Sequence, residues 1–218
     1  MNRIILLCLT LIAFSTVANA QFNKGSLLIG GELSYSGYST NFYSNDQNSH
    51  TGIFNISIGK AINSNTVAGI NLTYSPITQD NYYQNIQIPI SYRKNSYTVG
   101  VFYRKYKELG KDFYLFGEAG LSYGFSNESG KDSLGVQLLS GSGNSGQINF
   151  MPGIAYGISK KFFLEITIQN ILFIQYSNAS TNYQNNPPGT SKTDQFVVST
   201  SLNSSPLFGL GVGFRLIL

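Results

Sequence analysis

Charged side chains are scarce. Asp, Glu, Lys and Arg make up 11% of the 218 residues, less than half of the ~25% usual in soluble domains. The chain has one cysteine, one histidine and no tryptophan. A thiolate or imidazole metal centre therefore lacks its ligands. Cys8 falls within an N-terminal apolar run, where it reads as apolar filler. Beyond that run no segment approaches the ~20 consecutive apolar residues of a membrane-spanning helix. The formal net charge of +4 is small and scattered, which argues against a nucleic-acid partner. Gly-Ser-Gly-Asn-Ser-Gly at 141–146 is followed by no Lys-Ser/Thr pair, so it is not a phosphate loop.

What the chain has in quantity is glycine (23 residues), tyrosine (15) and phenylalanine (15). Its ending is the clearest stretch. From Leu210, every second residue is apolar: Leu210, Val212, Phe214, Leu216 and Leu218. Between them stand Gly211, Gly213, Arg215 and Ile217. Side chains alternate across a strand, so one face is continuously apolar while the other is small and carries one cation. A strand in a membrane barrel needs that division, with its apolar face toward lipid.

The same alternation recurs upstream. It predicts strands over about 26–37, 54–59, 68–74, 97–104, 113–125, 148–158 and 162–169, with a bulge where strict alternation fails at Asn170–Ile174. Connections alternate in length: 61–65, 107–112 and 159–161 are tight, whereas 38–50, 76–95, 126–146 and 175–206 read as long polar loops. Short turns on one side and long loops on the other, with an even strand count, fit an all-β, eight-stranded antiparallel up-and-down transmembrane β-barrel. Ten strands result if Ile86–Tyr92 and Phe196–Leu202 are separate strands; eight is the preferred reading, with Ile86–Tyr92 then either strand extending above the membrane or loop.

Residues 1–20 read as a secretory signal peptide: Arg3, the apolar run Ile4–Phe14 and an Ala18-Asn19-Ala20 cleavage site. The barrel then spans 21–218 and has no cysteine, which removes disulfide and thiol chemistry.

The inward faces hold Glu32, Arg104, Glu118, Glu165 and Arg215. Arg104 and Glu118 can face each other across one hairpin, and Arg215 lies on a strand neighbouring those of Glu32 and Glu165. Charges inside so narrow a barrel must pair or bear a desolvation cost of several kcal/mol. A structural ion-pair network is the plain reading; a gated ion or proton path is the alternative. His50, near Asp46 and Ser49, is the one histidine available as a general base, and no nucleophile constellation accompanies it. Tyr35, Tyr38, Phe42, Tyr43, Tyr74, Tyr82, Tyr83, Tyr123, Phe125 and Tyr176 cluster at the long-loop ends of strands, as interface anchors do. Lys160-Lys161 sits in a short turn, where it either meets lipid headgroups or simply solubilises the turn.

Val99–Tyr106, the Leu-Gly-Lys turn, Phe113–Gly124, Phe150–Gly157 and Pro206–Leu218 together resemble the outer-membrane β-barrel domain family, the small OmpA/OmpX-like barrels of Gram-negative bacteria. The resemblance implies a bacterial outer-membrane location and insertion by the barrel-assembly machinery, which reads a C-terminal strand such as Leu210–Leu218. Family strands usually end on an aromatic residue; Leu218 departs from that and keeps the outward parity. The implied surroundings are outer-membrane lipid and lipopolysaccharide, with an extracellular partner met through the loops and no cofactor. The resemblance fixes no single activity. The leading expectation is a non-enzymatic structural or surface-interaction barrel with an ion-paired lumen. The alternatives are a small pore and, behind it, a loop-based enzyme.

Overall fold

The computed structural model describes residues 23–42, 45–83, 88–132, 134–169, 171–184, 188–200 and 210–218. Ten strand segments follow one another: β1 (Leu27–Phe42), β2 (Asn45–Asn63), β3 (Thr66–Tyr83), β4 (Ile88–Gly110), β5 (Phe113–Lys131), β6 (Gln137–Gly157), β7 (Phe162–Ile168), β8 (Leu172–Tyr183), β9 (Gly189–Ser199) and β10 (Leu210–Ile217). All pairings are antiparallel.

The sheet closes on itself. One row of exterior residues runs from Phe113 through Tyr156, Leu164, Phe214, Gly31, Ile56, Leu72 and Val99 to Tyr123, each paired with the next. The row leaves β5 at Phe113 and returns to β5 at Tyr123, after crossing eight strands. The fold is thus an eight-stranded antiparallel barrel. The ten-residue offset between Phe113 and Tyr123 is the stagger that tilts the strands by about 40°.

Ten segments make eight staves because the last two are interrupted. β7 pairs with the short-turn half of β6 and β8 with its other half. Gly153 faces Thr167 while Phe150 faces Leu172, so three steps along β6 oppose five along its partner. The bulge predicted near Asn170 is therefore a two-residue insertion, and residue 170 itself lies outside the described residues. An even insertion preserves the inward–outward parity, so Phe173 and Gln175 stay on the lumen side. The eighth stave is β9 followed by β10, which pair with β8 and β7 respectively.

The loops expected from sequence are shorter than predicted. β1 runs to Phe42 and β2 starts at Asn45; β4 starts at Ile88; β5 runs to Lys131 and β6 starts at Gln137. The stretch read as a loop over 175–206 contains most of β8 and all of β9. Much of these extensions is polar on both faces (Ser, Asn, Thr and Gln) and carries no hydrophobic period to reveal it, whereas the apolar stretches marked by the ten-strand alternative fall in part at the start of β4 and at the end of β9. Their backbone groups nonetheless pair strand to strand.

Two aromatic girdles bound the lipid-facing wall. Phe54, Tyr74, Tyr97 and Phe125 are cross-strand neighbours at 6.1, 5.1 and 5.2 Å between successive ring centroids. At the short-turn end Phe113 meets Tyr156 at 4.8 Å, and Phe162 meets Phe214 at 6.1 Å. Between them lie exposed Ile, Leu and Val, among them Ile56, Ile70, Leu72, Val99, Val101 and Leu121. From Phe113 to Phe125, at about 3.4 Å per residue and a tilt of about 40°, β5 climbs about 30 Å. That matches a band about 25 Å tall with its girdles. No helix among the described residues is long and apolar enough to cross a membrane.

Candidate functional site: the charged lumen

The lumen divides into two zones. Toward the short turns it is filled by Leu28, Val67, Phe102, Tyr106, Tyr114, Phe116 and Phe163, all buried. Above them, Asn55, Asn71, Thr98, Ser122, Gln147 and Asn149 lie half-buried on the inward faces. The charged residues stand at the boundary.

Alternation places each of them. Arg104 pairs in register with Glu118 across the β4–β5 hairpin, and its Nε donates to Glu118 Oε2 at 2.7 Å. Its Nη1 reaches across the lumen to Glu165 Oε2 on β7 at 2.6 Å. Arg215 on β10 donates from Nε to Glu165 Oε1 at 2.9 Å and from Nη2 to Oε2 at 3.2 Å. Glu165 therefore accepts from two guanidinium groups. The side chains of these four residues are between 3% and 6% exposed, and two arginines balance two carboxylates. Glycine makes room for the fork: a Cβ on Gly30 would meet Ser57 Oγ at 2.8 Å and the Arg215 guanidinium carbon at 3.1 Å.

Three partners carried no signal as charges in the sequence. Tyr106 Oη accepts from Arg104 and donates to Glu165 Oε1, both at 3.2 Å. Ser57 Oγ accepts from Arg215 Nη1 at 3.4 Å. Phe116 lies 4.1 Å below the Arg104 guanidinium carbon, near enough for a cation–π contact. Tyr106 shares the inward parity of Arg104 two residues earlier, a signal that alternation could have supplied.

Glu32 behaves differently. It makes no ion pair among the described residues; Arg215 turns to Glu165 instead. Glu32 is half-buried and hydrogen-bonds to Thr167. A Cβ on Gly211 would meet Glu32 Oε1, Thr167 Oγ1 and Gln169 Nε2, which places these three groups around one glycine on the amide-rich side of the ion pairs.

The remaining sequence candidates fall outside this cluster. His50 is on the exterior wall, its Nδ1 2.8 Å from Tyr35 Oη and its ring stacked on Tyr35 at 6.1 Å. Ser49 has the opposite parity, and the Asp46 side chain lies outside the described residues. No metal-ligating cluster occurs among the described residues. Tyr74, Tyr123, Phe125 and Tyr176 are exterior residues at or beside the upper girdle, whereas the side chains of Phe42, Tyr82 and Tyr83 and residue Tyr43 lie outside the described residues. On β10, Leu210, Val212, Phe214 and Leu216 are exposed while Gly211, Gly213 and Arg215 are buried, and Leu218 closes the edge by donating its N–H to Leu27 O at 2.9 Å.

The profile of the outer membrane protein beta-barrel domain matches residues 4–215. The chain belongs to that family. Its place is accordingly the bacterial outer membrane. No curated protein sequence matches it. Among solved structures, it is similar to Neisserial surface protein A (NspA), at 12% identity over 88% of this chain and 97% of that one, with a TM-score of 0.44. A major outer membrane protein of Thermus thermophilus shares 11% identity over 90% and 100% of the two chains, with a TM-score of 0.44. The outer membrane protease OmpT of Escherichia coli shares 8% over 88% and 91%, with a TM-score of 0.38.

Proposed function

We propose that this outer-membrane barrel is a non-enzymatic structural and surface-interaction protein whose lumen is sealed by the ion-paired cluster. The observation that carries the reading is the doubly held Glu165, which ties β4 to β7 and β10 through Arg104 and Arg215. An eight-stranded barrel is just wide enough for side chains to fill, and the aromatic floor beneath the cluster occupies what the arginines leave. Opening the lumen would strand buried charges, at several kcal/mol each. The upper lumen is then a polar recess open to the exterior, and the projecting hairpins present the partner-facing surface. Residues 1–20 act as a cleaved signal peptide and β10 as the strand read at insertion.

A cysteine at Ser122, above the cluster, tests the seal in the chain lacking residues 1–20. A membrane-impermeant thiol reagent is expected to label Ser122→Cys from the long-hairpin side only. Equal labelling from both sides would overturn the sealed lumen in favour of a small pore.

A further inference from the structure

Charge is unevenly distributed along the barrel axis. Seven of the ten lysines (Lys24, Lys60, Lys105, Lys107, Lys111, Lys160 and Lys161) lie at the short-turn end. Only Glu108 and Asp112 oppose them among the described residues. In the extracellular extensions the described bases are matched by an equal number of acids.

Three of the seven are on the lipid-facing wall itself. Lys60 pairs with Ala68, which pairs with Tyr103, so Lys60 shares an exterior row with an exposed tyrosine. Lys105 pairs with Thr66, one row nearer the turns. Lys107 faces Leu115, two residues from the girdle residue Phe113. Lys60 and Lys105 are exposed and have no anionic partner among the described residues. A lysine at this depth lays its methylene stem along the apolar wall and carries its ammonium into the headgroup layer.

We propose that Lys60, Lys105 and Lys107, with the turn lysines, form a collar that binds the anionic phosphate headgroups of phospholipids in the periplasmic leaflet. The inference rests on the membrane-barrel reading and adds a partner to it. The distribution selects lipid over a protein partner: the ammonium groups belong to β2, to β4, to the β4–β5 and β6–β7 turns and to the segment before β1, and so encircle the rim instead of forming one patch. An annulus of lipid has that geometry. Lysine, a compact charge on a flexible stem, suits mobile headgroups better than the fixed fork of arginine.

The test uses the protein reconstituted into phosphatidylcholine vesicles that carry trace spin-labelled phosphatidylglycerol or phosphatidylcholine. The motionally restricted fraction of each label measures its association with the barrel. The expected result is a several-fold preference for phosphatidylglycerol, weakened in 0.5 M salt. The Lys60→Gln/Lys105→Gln/Lys107→Gln variant should lose most of that preference, and Lys131→Gln/Lys192→Gln should keep it. If the triple variant fails to fold, Lys105→Gln alone and the salt series on the wild type decide. Equal association of both labels, or a preference that survives both salt and substitution, overturns the collar while leaving the barrel in place. A wild-type chain that stays out of the bilayer overturns the membrane reading and the collar with it.

Discussion

Glu165 holds two arginines at once, and Glu32, in the same lumen, holds none. The two carboxylates therefore respond differently to the same change. Glu165→Gln leaves Arg104 and Arg215 with one carboxylate between them, and breaking a buried pair in this way costs about 3–5 kcal/mol. Glu32→Gln keeps a hydrogen-bonding amide beside Thr167 and removes no ion pair, so its effect should stay within about 1 kcal/mol. Urea unfolding of each variant in lipid vesicles measures both, and equal losses would contradict the assignment of partners. The residue types of this cluster were legible in the sequence, because charges are rare enough to stand out on inward positions. The partner of Arg215 was not. Strand adjacency allowed Glu32 or Glu165, and register does not choose between them, since both stand opposite Gly213, two residues before Arg215. Only the direction the side chains take in the closed lumen pairs Arg215 with Glu165. Tyr106 and Ser57 were missed because uncharged polar residues are common in the lumen.

At the scale of elements, the alternating strands within the membrane band were readable because lipid demands apolar residues at every second position. Above the upper girdle that demand ends, and most of the extensions of β2, β6, β8 and β9 look like loop, while Ile86–Tyr92, which the start of β4 contains in part, reads as strand or loop alike. The wall is therefore expected to be sensitive to charge only between the girdles. Val101→Arg, in the band on β4, should cost about 2–4 kcal/mol, while Asn127→Arg, above Phe125 on β5, should cost about 0–1 kcal/mol. Refolding into vesicles across a urea series compares the two, and similar costs would mean that the girdles are misplaced.

The β4–β5 extension has its own lock. Tyr92, five residues beyond the girdle residue Tyr97, donates to Glu128 Oε2 at 2.6 Å, and Thr181 on β8 donates to Oε1 at 2.5 Å. Burial, and then the Glu128 carboxylate, hold the Tyr92 phenol above its ordinary range. The folded hairpin thus favours the neutral phenol. Its contribution is whole below about pH 10, the ordinary phenol value, and is lost as pH rises from there toward the raised folded value. Hydrogen exchange in 88–96 and 126–131 should accelerate relative to the band as pH rises above 10 in the wild type, and Tyr92→Phe should remove that pH-dependent excess.

For the whole molecule, closure follows from consistency among strand number, stagger and filling. Eight strands with a stagger of ten enclose a lumen that Phe102, Tyr106, Tyr114, Phe116 and Phe163 fill at one end, and the neutral pair of arginines and glutamates caps that floor. Single-channel recording in a planar bilayer tests this most directly, on the wild type beside Glu118→Gln, which removes one bond of Arg104 and leaves Glu165 in place. The sealed barrel predicts no discrete conductance steps in either protein. Reproducible steps in the wild type, altered in amplitude by Glu118→Gln, would contradict the seal and make the charged lumen a conduction path.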